Sequence, residues 1–177
     1  RHILQENRSL SEFIDSDYTF LNPALARHYG IPAATEDTFR KVKLSPDSHR
    51  GGLLGQASIL TATSNGVESQ PVVRGVWVLE NLLGTPPSPP PPDIDPLEPD
   101  TRGVSTIRQM MEKHRNNPTC YECHRKIDPL GLAMENYDHT GLWRDRYAKH
   151  LPIDASAALS DGTTIKGPEG IKNFLKQ

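Results

Sequence analysis

Residues 118–124 read PTCYECH, two thiols separated by two residues with an imidazole directly after the second. Three chemistries use such a set. A thioredoxin-type dithiol places C-x-x-C at a helix N-terminus that follows a strand, where the thiolate is stabilised. Here a helical stretch and the turn RNNPT precede Cys120 instead. A zinc ion takes four ligands, of which Cys120 and Cys123 would supply two. His124 is badly placed to close the same tetrahedron. The remaining ligands would come from His28, His49, His114, His139 or His150, which include no H-x-x-x-H pair.

The third chemistry is covalent haem attachment, for which C-x-x-C-H is the recognition sequence. One helical turn between the sulfurs matches the separation of the two porphyrin vinyl groups to which the thiols add. The histidine after the second cysteine then offers its imidazole to the iron. Cys120 and Cys123 are the only cysteines in the chain, and both lie in this motif. The spacing therefore favours one covalent haem c on Cys120 and Cys123, with His124 as proximal ligand. Two residues are candidates for the opposite axial position, His114 six residues before Cys120 and Met134 ten residues after His124. A thioether there raises the iron potential and a second imidazole lowers it. A core methionine and a helix-end histidine are the structural alternatives for the same two side chains.

The elements that must carry this motif are helical. HILQENRSLSEFI (2–14) has apolar residues at near-helical spacing. NPALARHYG (22–30) has Asn22 at an N-cap, Pro23 at the first helical position and Gly30 at the end. A short strand is expected at 39–44. GGLLGQASILTAT (51–63) and QPVVRGVWVLENLLG (70–84) each put apolar residues on one helical face, with the turn SNG between them. TPPSPPPPDIDPLEP (85–99) reads as a polyproline II connector. STIRQMMEKHR (105–115) predicts an amphipathic helix. DPLGLAMENYD (128–138) predicts a further one, with Asp128 as its cap and Pro129 at its first position. SDG (160–162) marks a turn, and GPEGIKNFLKQ (167–177) a last helix.

Bulk properties narrow the function classes. The chain has 177 residues, 16 of them proline, a hydrophobic content of 35% and a formal net charge of −2. With charges of both signs interspersed, no basic face for nucleic acid is implied. Two cysteines in one motif exclude a disulfide framework. No stretch approaches the roughly 18–20 apolar residues of a membrane span. The first twenty residues carry many charges and no apolar signal core. The start at Arg1 suggests part of a longer protein, so the missing signal says nothing of compartment. Trp77 and Trp143 suit core packing; Arg125, Lys126, Arg144 and Arg146 could pair with haem propionates or simply be solvated. Glu135 and Asp138 are not placed in one cleft by the sequence. Ser64 and Ser69 lack a nucleophile-elbow context.

HRNNPTCYECHRKIDPLGLAMENYDHTGLWR resembles the cytochrome c-like module of large planctomycete-type exported proteins, a family of tandem domains of unknown function. RGGLLGQASILTATSNG and PVVRGVWVLENLLGTPPSPPPP resemble the same module. DYTFLNPALARHYGIP resembles the end of a preceding module, and IDASAALSDGTTIKGPEGIKNFL the start of a following one. The resemblance implies module boundaries at 1–50, 51–150 and 151–177. It also implies C-x-x-C-H at this place and favours His114 over Met134, because the matching family position is often leucine.

The expectation is thus a mainly α fold, a cytochrome c-like helical haem domain packed with additional helices and a proline-rich connector. Side chains from 51–84, such as Leu53, Ile59 or Val76, are expected to wall the haem. The leading function is electron transfer within a larger exported multidomain protein, periplasmic or at the cell surface. Its partner would be a redox protein or another cytochrome domain, with possible carbohydrate association of the parent protein, no nucleic acid and no integral membrane segment. A catalytic haem domain, peroxidase-like or dehydrogenase-coupled, and a structural or carbohydrate-associated interaction module are the alternatives.

Overall fold

A computed structural model describes residues 1–32, 37–89, 106–114, 118–147 and 151–177, without the side chains at 113, 114, 118 and 119. Seven α-helices are found there: α1 His2–Gln5, α2 Pro23–Tyr29, α3 Ala57–Ala62, α4 Pro71–Asn81, α5 Ile107–His114, α6 Pro118–Leu132 and α7 Gly167–Leu175. Strands β1 Tyr18–Leu21 and β2 Arg40–Lys43 pair antiparallel, with Tyr18 opposite Lys43. Strands β3 Ser156–Ala158 and β4 Thr164–Lys166 form a second antiparallel pair. The described residues are therefore a helix-rich mixture with two small sheets, not a purely helical chain.

Helix α2 carries its own start and stop. Asn22 Oδ1 accepts the Leu25 N–H at 2.9 Å, Pro23 sits where an N–H would have no partner, and Gly30 ends the helix at φ 65°. The helix predicted at 2–14 is mostly absent. Asn7 takes a left-handed φ of 49°, which stops α1 and leaves only a 3₁₀ turn at Leu10–Phe13. The helix predicted at 51–63 shortens to α3 for a related reason. Gly51 and Gly52 sit at φ 108° and 65°, and any β-carbon on them would overlap the carbonyl oxygens of Ser16 and Ile14. The connector of 85–99 lies largely outside the described residues, and 85–89 form no regular element.

The chain divides into two compact units. The first comprises residues 1–69, 137–143 and 172–177. Its interior includes the buried Leu21, Leu54, Leu60 and Tyr137, and the Arg50 guanidinium lies 5.5 Å from the centre of the Tyr137 ring. That guanidinium lies 3.9 Å over the Tyr29 ring and donates to the Gly55 carbonyl at 2.9 Å, so its charge is hydrogen-bonded where it is buried. Trp143 stacks flat on His49 at 3.7 Å, while the Tyr137 hydroxyl donates to the His49 carbonyl. The Lys172 ammonium, 2% exposed, donates to the Arg50 carbonyl at 3.3 Å and stands 3.5 Å from Asp15.

The second unit comprises residues 70–136 and 144–171 and holds α4, α5, α6 and the β3–β4 hairpin. Val78, Leu79, Met111, Ile127, Leu130, Leu132 and Met134 form its core. Burial of such side chains stabilises by roughly 1.5–3 kcal/mol each. Arg108 on α5 donates to the Asp154 carbonyl at 2.9 Å, tying α5 to the segment entering β3.

Candidate functional site

The cysteine motif lies on α6, which runs unbroken from Pro118 to Leu132. The separate helix predicted to begin at Asp128 does not exist. Pro129 lies inside α6, and Asp128 is no cap: its side chain is fully buried and accepts from His124 Nδ1 at 2.8 Å. A proline in a helix interior removes one hydrogen bond and costs on the order of 3 kcal/mol. Packing against α4 offsets that cost.

Helix α4 forms where the sequence predicts it, with Pro71 at its start. Its face toward α6 is set by two glycines. Gly75 lies against the Ile127 carbonyl, and Gly131 lies beneath the Pro71 carbonyl. The two contacts advance in opposite senses along the helices, so α4 and α6 are antiparallel. Continuing that register puts Val78, fully buried, level with His124. Val76 is half-buried and lies off this stripe. Leu53 and Ile59 belong to the other compact unit.

At 100° per residue, Cys120, His124, Ile127 and Gly131 fall on one stripe of α6, and Cys123 lies 60° to one side of Cys120. The two sulfurs are thus one turn apart. Cys120 is buried and Cys123 exposed. The His124 side chain is 17% exposed and Asp128 0%. Donation from Nδ1 to that carboxylate corresponds to the Nδ1–H tautomer, in which Nε2 is the acceptor nitrogen of the ring. Sequence reasoning missed Asp128 as part of this site. Its signal was the i,i+4 spacing to His124, which puts both side chains on one helical face.

Of the axial candidates, the His114 side chain lies outside the described residues. Met134 is 2% exposed just beyond the end of α6, about 15 Å along the axis from His124 at the helical rise per residue. Its carbonyl accepts from the buried Arg74 guanidinium of α4 at 3.1 Å. Arg125 pairs with Glu122 at 2.9 Å on the outer face, while Lys126 and Arg146 are exposed. Glu135, 1% exposed, pairs with Arg144 at 2.6 Å. Burial, with the Glu135 charge adding to it, pushes the Tyr147 hydroxyl well above its ordinary range. Asp138 instead folds its own turn, accepting from Thr140 and Leu142. Glu135 and Asp138 thus serve separate local roles. Trp77 is half-buried on α4. Among the described residues, no group of three or more acidic, histidine or cysteine side chains is clustered to hold a metal ion, and no helix is long and apolar enough to cross a membrane.

Comparison with known families gives two matches. Residues 1–31 match PSD4, described as a protein of unknown function (DUF1592). Residues 50–147, which include α3 to α6 and the whole cysteine motif, match PSCyt3, described as a protein of unknown function (DUF1588). No curated protein and no solved structure matches the chain. With more than half of its 177 residues inside that second match, the chain belongs to the PSCyt3 family.

Proposed function

We propose that this chain is a c-type cytochrome domain with one covalent haem on Cys120 and Cys123, axially bound by His124, that transfers electrons within a larger exported protein. The observation that carries the reading is the donor set on α6. Two thiols stand one turn apart, and beside them an imidazole has its Nδ1 engaged by a buried carboxylate, 2.8 Å away. Metal-binding histidines commonly donate their second nitrogen to such a group, which fixes the tautomer and points the other nitrogen at the metal. A thioether-bound haem, once attached, supplies a one-electron couple. The residues present fit it. The name PSCyt3 and the match over 50–147 also support taking 51–150 as one module, between the end of one neighbour and the start of another.

Of the two distal candidates, the reading takes His114. A ligand opposite His124 must approach the iron within a few ångströms from the other face of the ring. Met134 follows the same unbroken helix as the proximal ligand, about 15 Å farther on. Haem attachment through thioethers takes place outside the cytoplasm, so the domain is placed in the periplasm or at the cell surface. Its partner is then a redox protein or another cytochrome domain.

Expression into the periplasm with a cytochrome-maturation system tests this. The expected product is coloured, has the mass of the chain plus one haem, and gives the pyridine haemochrome of a bis-thioether haem. A colourless product with the bare-chain mass overturns it.

A further inference from the structure

We propose that Asp128 is the positioning residue for His124, holding the ring as the Nδ1–H tautomer and lowering the reduction potential of whatever metal Nε2 binds. The proposal rests on the haem reading for its electrochemical part but not for its geometric part.

The local arithmetic is simple. Asp128 follows His124 by four residues on an unbroken helix, so the two side chains meet without any loop having to order. The carboxylate is fully buried, while the imidazole is 17% exposed. Helix α4 packs close by, with Gly75 against the backbone of Ile127, the residue just before Asp128. In that water-poor setting a charge-assisted hydrogen bond is stronger than in solvent. Its first consequence is geometric, because the ring cannot rotate about its Cβ–Cγ bond without breaking a 2.8 Å contact. Its second is electronic. A carboxylate on Nδ1–H raises the basicity of the imidazole and stabilises the more positive state of a bound iron. The one-electron couple shifts toward lower potential. Helix α6 would thus make this haem a better electron donor than C-x-x-C-H alone requires.

The test compares wild type with D128N, which keeps the shape and an acceptor oxygen but removes the charge. In the matured holoprotein, mediated redox titration of D128N is expected to show a higher midpoint. The shift corresponds to at least tenfold in the electron-exchange equilibrium, about 59 mV for one electron. An unchanged midpoint in folded D128N would sink the electronic part. The tautomer is read independently, by ¹⁵N NMR of the wild-type chain without haem. His124 is expected as Nδ1–H, and finding it as Nε2–H would overturn the geometric part. A chain that never takes up haem, yet shows Nδ1–H, refutes the cofactor reading while upholding the positioning role.

Discussion

Gly131 on α6 leaves no room for a side chain under the Pro71 carbonyl of α4, because a β-carbon there would overlap that oxygen. The same holds one turn along, where a β-carbon on Gly75 would overlap the Ile127 carbonyl. These helices touch backbone to backbone, and that contact sets where the cysteine motif stands.

Gly131→Ala and Gly75→Ala are therefore expected to destabilise the protein. Alanine is the better helix former by about 1 kcal/mol, so without the contact both changes would be stabilising. Overpacking reverses the sign, and we expect a net loss of about 1–3 kcal/mol each. Urea unfolding of the two variants measures it, and an unchanged or higher midpoint would contradict the close approach.

Removing the cation beside a buried carboxylate is expected to cost more. Arg144→Met takes away the guanidinium 2.6 Å from Glu135, at a loss of about 3 kcal/mol. The figure sits at the low end of the range because Arg144 remains partly exposed to water. The double variant with Glu135→Gln should recover part of this loss, which a double-mutant cycle in urea would reveal.

Acid stability should depend on Asp138. Burial alone would raise its carboxyl, but hydrogen bonds from Thr140 and Leu142 outweigh burial and hold it below the usual carboxylate range. The unfolded chain, with a carboxyl near about 3.9, then binds a proton more readily than the folded one. Asp138 contributes stability above about pH 4 and loses it as pH falls through the folded value. Asp138→Asn should flatten that acid limb, by on the order of 1 kcal/mol, in unfolding curves between pH 6 and pH 3.

The axial candidates separate in the matured protein. Met134→Leu is expected to leave the visible spectrum unchanged and to shift stability by less than about 1.5 kcal/mol, as a volume-conserving core exchange does. His114→Ala is expected to change the spectrum of the oxidised form. The reverse pattern would restore Met134 as ligand.

What could be read from the chain beforehand was local. Asn22, Pro23 and Gly30 frame α2 because capping involves neighbours within one turn. The 3–4 spacing of valines and leucines gave α4, and Pro168 with the apolar residues after it gave α7. The failures were tertiary. Asp128–Pro129 has the form of a helix start, but α4 packs across that point and α6 continues. Strand β1 was not expected, because its partner lies some twenty residues away. Arg74 and Lys172 look like surface charges, and only folded neighbours account for their burial. The cysteine and histidine spacing was fully legible, whereas the carboxylate behind it was misread as a cap.

The two compact units share the chain in alternation, with 137–143 and 172–177 belonging to the same unit as the first 69 residues. No single scissor point releases either one whole. A fragment stopping at residue 136 would strip the first unit of Tyr137 and Trp143, both packed around His49. Dissection should therefore proceed by substitution within the intact polypeptide, and proteolytic nicks between the units are expected to leave their pieces associated until a denaturant is added.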